Sequence, residues 1–581
     1  MPEFVTRAEH ATRHGPTAGD RVRLGDTDLW IRIEADLSEP GDQALWGYAK
    51  NWRSGMTQAG RSAGDTALDA VIASVIVLDP LLGVVKCDLG IKDGRIAGIG
   101  RAGNPGITDG IDLAIGPNTW PIPSHGHIAT AGAVDSHVHL LSPRLVPVAL
   151  SAGVTTLITA GFEEPPSRML STLEAFEHLP VNIGLQASAR TDVVGGLDPV
   201  IEAGAVGLKI HEDWGAYPEI VDAALRAAEA HDVAVCMHTD GLNESTDLEG
   251  TVEAIAGRTV HAYHVEGAGG GHIPDLIALT REPNVMCSST TPGLPYGPAT
   301  ASEHVDMILL AHEGNAALRE DVAAARERIH PASMAAEGPL HELGAIQIVN
   351  SDSQGMGRIG ESVRRTFQLA HAMKTWRASE AGSGWADAPS VRRLTALDAT
   401  ARVEGDPDDN ERVLRFLAKL TTEPARVHGV LDEVGTLAPG RVADIVLWEP
   451  TSFGAKPLLV LKGGVVAWSA MGEGNASVHG AEPTRFGPDW GAVGTAAARL
   501  STTFVSRAAI EGNLARTLGT RRRVVAVRGT RGLTRSDLVA NTAAPAGLEV
   551  SPDDGAVSID GRTLACEPVD SVPLSRRYFL T

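Results

Sequence analysis

The chain has 581 residues, 43% hydrophobic and 21% charged, an ordinary globular balance rather than a disordered one. Aromatics are only 4%, so Ala, Val and Leu must fill most of the core, and the length predicts one large barrel with smaller domains beside it. A formal net charge of -22 repels phosphate backbones and excludes nucleic acid as a partner.

Residues 1–130 read as a β-rich segment. VIASVIVLDP and GVVKCDLGIKDGRIAGIG give short strands with turns at DP and DG. The opening MPEFVTRAEHATRHG has no apolar signal core. No apolar run is long enough to cross a bilayer, so a cytoplasmic protein with no membrane partner is expected. The Gly- and Pro-rich stretch 101–127 closes this segment.

From 131 to 430 strand and helix patterns alternate. The strand candidates are TTLITAG, VNIGLQA, AVGLKI, VAVCMHT, TVHAYHV, NVMCSS and AIQIVNS, with helices such as PEIVDAALRAAEAH and HVDMILLAHEG between them. Repeated βα units predict an α/β fold, a (β/α)8 TIM-type barrel. Residues 380–411 read as a polar surface excursion. GTLAPGRVADIVLWEP and PLLVLKGGVVAWS, within 435–469, return to short strands. Residues 1–130 plus about 431–480 are therefore expected to form one discontinuous β-rich domain. Residues 481–581 are expected to be an α+β segment packing on the barrel. TAAARLSTTFVSRAAIEG is read there as one helix, and Arg521 to Arg523 as a helix or loop end before the strand VVAV. Cys87, Cys236, Cys287 and Cys566 form no CxxC pair and are expected to be small buried thiols in a reducing compartment.

Active sites on such a barrel sit at the C-terminal ends of the strands. Candidate ligands cluster at those ends. VDSHVHL presents His137 and His139, which share a face if the segment is a strand. AVGLKIHED presents Lys209, His211 and Asp213; VAVCMHTD presents His238; TVHAYHVEG presents His261 and His264; IQIVNSDSQ presents Asp352. A single histidine in such a place is more often a satisfied core residue, and HxH alone is a weak signal. Convergence of five strand ends on one mouth is a stronger one. Four imidazoles and a carboxylate exceed one tetrahedral site and suit two metals sharing a bridge.

Lys209 ends an apolar run, AGAVGL, although lysine is among the residues least often buried. An ammonium beside metal dications is opposed by Coulomb repulsion and desolvation. A neutral amine that takes up CO2 becomes a carbamate, an anion with one oxygen for each metal. Lys209 would then be the bridging ligand.

In order, HxH, KIHEDWG, a further His, HVEGAGGGH and SDSQGMGR resemble the urease α-subunit family, nickel members of the amidohydrolase superfamily. HGPTAGDRVRLGDTDLWIRIEADL, PVNIGL, LNES, GRVADIVLW and RYFL extend the resemblance nearly end to end. It implies a catalytic subunit with a (β/α)8 barrel and a smaller β-rich composite domain, hydrolysing urea to ammonia and carbamate. It implies two Ni2+ ions bridged by carbamylated Lys209, one completed by His238 and His264 and the other by His137, His139 and Asp352. It further implies that His211 hydrogen-bonds the urea carbonyl and that Gly269 offers its backbone carbonyl to a urea nitrogen. His312, on a flap near 305–330, would be the general acid, with Asp213 and Arg328 orienting it. Urease β and γ subunits, separate or fused, and nickel-loading accessory proteins would be the partners.

Besides an insertion around 383–403 in a polar stretch, the chain departs from the family pattern at three places. Ala311 stands where the family usually has Cys, which predicts altered flap behaviour and resistance to thiol reagents. Gly355 stands where it usually has Ala, read as a small change. The Gly- and Thr-rich loop after Gly161 is cut short to FEEPPSRML, which affects a wall of the substrate cavity. Two alternatives stay open at this point: a related binuclear amidohydrolase acting on another amide, ureide or cyclic imide, and a non-enzymatic urease-like paralogue.

Overall fold

The computed structural model describes residues 5–38, 58–59, 66–211, 215–238, 247–267, 274–379, 385, 408–471, 485–569 and 571–574. Its centre is a barrel of eight parallel strands. They are Ala133–Val138, Val154–Thr159, a third strand in two pieces (Asn182–Gly184 and Gln186–Ser188), Gly207–Ile210, Ala234–His238, Val260–Tyr263, Val285–Thr290 and Ile348–Asn350. Successive strands pair in parallel register, for example Lys209 with Cys236 and His238 with Tyr263. The ring closes where Val138 bridges Ser353. Most positions of these strands are buried and apolar, as expected where helices cover a parallel sheet. The helix Pro218–His231 buries Val221, Ala224, Leu225 and Ala228, an i, i+3, i+4, i+7 stripe, and ends on Asp232 in the left-handed region.

A second, β-rich unit stands beside the barrel. In its largest sheet Ile128–Ala131 pairs antiparallel with Ile445–Trp448 and parallel with Ala70–Asp79. Its core is Val, Ile and Leu from both stretches of chain, including Val75, Val77, Leu89, Ile445 and Leu461.

Beyond residue 490 the structure corrects one expectation. TAAARLSTTFVSRAAIEG is not one helix: Gly494–Leu500 and Arg507–Glu511 are helical, and Thr502–Val505 between them is a strand. Three of its four residues are β-branched, which favours the pleated conformation. Ser506 caps the following helix by accepting from the Ala509 N–H. The strand pairs with the lower piece of the third barrel strand, Ile183 with Thr503, while the upper piece pairs with Gly207–Ile210. Arg523–Ala526 adds a further parallel strand outside it. Cys566 is only half-buried, unlike the three other cysteines. Most of 380–411 lies outside the described residues, but Trp385 within it is fully buried, with Arg562 4.7 Å above its ring.

Candidate metal centre

Each candidate ligand is set by the end of a strand. His137 lies in the first barrel strand and His139 just past it, so alternation turns both toward the mouth. The Asp135 carboxyl accepts from the His137 N–H (3.2 Å) and the Ser351 N–H (3.1 Å), and the His139 N–H donates to the Ser353 carbonyl (2.9 Å). These bonds tie the first strand to the eighth. Full burial pushes the Asp135 carboxyl up to about 6.

That closure delivers Asp352. Its Oδ1 is 3.3 Å from His137 Nε2 and 3.1 Å from His139 Nε2. Ligand atoms of His137, His264 and Asp352 all lie within 4.8 Å of one another. Ring contacts continue the array: His137 to His264 at 4.9 Å, His264 to His238 at 4.5 Å, and His238 to His211 at 4.3 Å. His264 and Asp352 hold φ of 42° and 52°, a left-handed backbone that costs non-glycine residues about 1–3 kcal/mol and clusters at functional sites.

Lys209 stands among these groups and is 1% exposed. Its Nζ lies 3.9 Å from the centre of the Tyr263 ring, and the same ring stacks on His137 at 4.0 Å. The Tyr263 hydroxyl donates to Ser136 O (2.8 Å) and accepts from Gln186 Nε2 (2.9 Å). Tyr263 is thus a rigid floor under both the lysine and the first imidazole.

Electrostatics favour ligands over cations here. Burial first, then Lys209 and the neighbouring imidazoles, hold His137 well below the ordinary histidine range. A neutral imidazole keeps a lone pair for a metal. A donor set of imidazole nitrogens and one carboxylate suits a borderline dication such as nickel or zinc. The residues therefore fit a metal centre.

The flap is a helical hairpin, Ala301–Ala311 and Arg319–Glu327, with its own apolar cluster of Ile308, Leu309, Ala325, Ile329 and Met334. His312 caps its first helix, with its ring 6.2 Å from His211 and 6.3 Å from His238. Arg328 caps the second helix. Asp213 and Gly269 lie outside the described residues.

His261 is not brought to the mouth. It pairs across with Cys236 one layer deeper, and its Nδ1 is 3.1 Å from His428 Nε2. Cys236, His261 and His428 form a second buried group of ligand-type side chains. The hydrogen bond between the two imidazoles accounts for their approach, and burial holds both below the ordinary range.

Gly355 lies directly against two of the candidate ligands. A Cβ there would lie 2.5 Å from Asp352 Oδ1 and 2.8 Å from His139 Cδ2. An alanine there requires these two side-chain ends to shift. Sequence reasoning also missed Tyr263 and Phe162, whose ring stacks on His139 at 5.7 Å. The one available signal was their place: Tyr263 directly before a candidate ligand, Phe162 directly after a strand end.

Residues 128–476 match the model of the Amidohydrolase family, and residues 3–122 match that of the Urease alpha-subunit, N-terminal domain. "Urease subunit alpha" of Haloquadratum walsbyi is 44% identical over 593 positions, with 100% of each chain covered. The chain belongs to the urease α-subunit family. "Urease subunit alpha" of Haloarcula marismortui is 42% identical over 588 positions, again with 100% of each chain covered. Membership makes this chain an enzyme, a metal-dependent hydrolase of the amidohydrolase type. Among solved structures, a dihydropyrimidinase from Brevibacillus agri is 15% identical with a TM-score of 0.46, covering 68% of this chain and 94% of its own. A D-hydantoinase from Thermus sp. is 16% identical with a TM-score of 0.46, covering 68% and 95%. Among the described residues no helix is long and apolar enough to cross a membrane.

Proposed function

We propose that the barrel mouth hydrolyses urea with a pair of Ni2+ ions bridged by a carbamate on Lys209. The observation that carries this reading is the burial of Lys209 among His137, His238, His264 and a tyrosine face, with Asp352 against both imidazoles of the HxH pair. His137, His139 and Asp352 would hold one ion, and His238 and His264 the other. When bound, the metal pair polarises the urea carbonyl and makes water a nucleophile near neutral pH.

The chain's own groups do the rest. Loss of one proton from the Lys209 ammonium, then addition of CO2 to the free amine with loss of a second, turns a cation into an anion and removes its repulsion toward the metals. His211 donates a hydrogen bond to the urea carbonyl oxygen. The Gly269 carbonyl accepts from a urea N–H. His312 supplies the proton that turns the departing nitrogen into ammonia, oriented by Asp213 and Arg328. Closure of the hairpin carrying His312 excludes bulk water. Full assembly would use β and γ subunits, separate or fused, and nickel-loading accessory proteins, in the cytoplasm.

The test is nickel analysis of protein matured with nickel and its accessory proteins, together with ammonia release from urea. Nickel and ammonia together support the proposal. Nickel with hydrolysis of another amide but not of urea overturns the substrate, and no nickel after maturation overturns the centre.

A further inference from the structure

The short loop after the second barrel strand brings an aromatic ring against two of the candidate imidazoles at the mouth. Phe162 stacks on His139 with centroids 5.7 Å apart and planes at 17°, and meets His211 edge-on at 5.8 Å. It therefore stands between an imidazole of the metal centre and the imidazole assigned to the urea carbonyl.

Three observations make this wall rigid. The backbone of Phe162 holds φ 77°, an outlier for a bulky residue, and such outliers persist where the surroundings over-determine them. The residues after it are anchored. Thr159 Oγ1 donates to Glu163 Oε2 (3.0 Å), the Ser188 N–H donates to Glu164 Oε2 (3.1 Å), and Arg190 pairs with Glu164 (2.7 Å). The residue before it is closely packed too: a Cβ on Gly161 would lie 2.6 Å from Lys209 Cβ. On its far side His139 is packed against Gly355, where an added Cβ would lie 2.8 Å from its ring. Both the ring and the imidazole are thus hemmed in by neighbouring groups.

We propose that Phe162 is a specificity-determining residue that restricts this site to a small, planar, unsubstituted diamide by closing the space between His139 and His211. A substituent on the urea nitrogen, or the ring of a cyclic ureide, would meet the phenyl face. The inference rests on the reading of the mouth as a urea-hydrolysing centre.

Phe162→Gly tests it, since glycine adopts this backbone without strain and the variant keeps the fold. On nickel-loaded enzyme, kcat/KM is measured for urea and N-methylurea, and binding of acetohydroxamate and benzohydroxamate by calorimetry. The preference for urea over N-methylurea is expected to fall about tenfold or more, the scale on which a pocket discriminates one methyl group. The preference for the smaller hydroxamate should fall with it. Phe162→Leu should lie between, and it decides the matter should the glycine variant load nickel poorly. Unchanged preferences in both assays at wild-type nickel content overturn the proposal. Absence of urea turnover in the wild type overturns the urease reading instead, and the hydroxamate pair alone then decides the role of Phe162.

Discussion

Two regions of this molecule bury cations, and they do so in opposite ways. Away from the mouth Arg522, Arg535, Lys462 and Lys419 are held mainly by oxygen atoms. Arg522 donates to the carbonyls of Phe176, Leu179, Val181 and Thr502 and to Thr503 Oγ1. Arg535 donates to the carbonyls of Val285, Leu279, Ala345 and Ala543. Lys462 meets Asp444 and Asn182, and Lys419 meets Ile346 O and Asn541. At the mouth Lys209 has around it a tyrosine face and imidazoles. An oxygen cage offsets the cost of burying a charge and stabilises the fold. A nest of imidazoles does little for an ammonium and much for a metal. Burial alone is therefore not the mark of function; the kind of atom facing the buried group is.

The sharpest way to break this contrast is Lys209→Ala. Urea turnover should fall at least about 10⁴-fold and bound nickel should be lost, with partial rescue by formate, since the metal centre carries most of the rate acceleration. Its unfolding midpoint without metal should stay close to wild type. Wild-type nickel content in that variant would end the bridging role. Arg535→Met should do the reverse. Stranding buried carbonyls should cost on the order of 3–5 kcal/mol in denaturant unfolding, while nickel bound per folded chain is unchanged.

The buried imidazole pair gives a pH signature of the structural kind. Burial lowers His428 to about 4, so below the unfolded value near 6.5 the unfolded chain takes up a proton that the folded chain refuses. Stability should fall by about 3 kcal/mol as pH drops from roughly 6.5 to 4 through this residue alone. His428→Gln should flatten that slope in unfolding measured across the window. The smallest effect belongs to Tyr263→Phe. It keeps the ring under Lys209 and removes the hydroxyl bonded to Ser136 and Gln186, at a cost of about 1–2 kcal/mol. Nickel content should be retained, which separates the ring's role from the hydroxyl's.

Much of the barrel was legible because its periodicities are local. The helix Pro218–His231 has the bounds its sequence pattern suggests, and HxH places both imidazoles against Asp352. What sequence could not give depends on contacts between distant segments. The pattern of 495–512 satisfies a helix until a barrel strand offers Thr502–Val505 a pairing edge. His261 resembles a ligand by position, yet His428, far along the chain, claims it. The closeness of Gly355 to His139 and Asp352 likewise appears only in the folded chain. Phe162 belonged to a segment recognisable only as a deletion, and a deletion does not say which side chain fills the gap.

The divided third barrel strand also governs when this enzyme can be completed. On the side away from the second strand its lower half pairs with Thr502–Val505, and Asn182 within it bonds Lys462, Asp444 and the Thr502 N–H. A ribosome must therefore have delivered the chain past residue 505 before the wall beneath the metal centre is sealed. A truncation before residue 502 that spares every candidate ligand would leave the lower piece of the third strand without that partner.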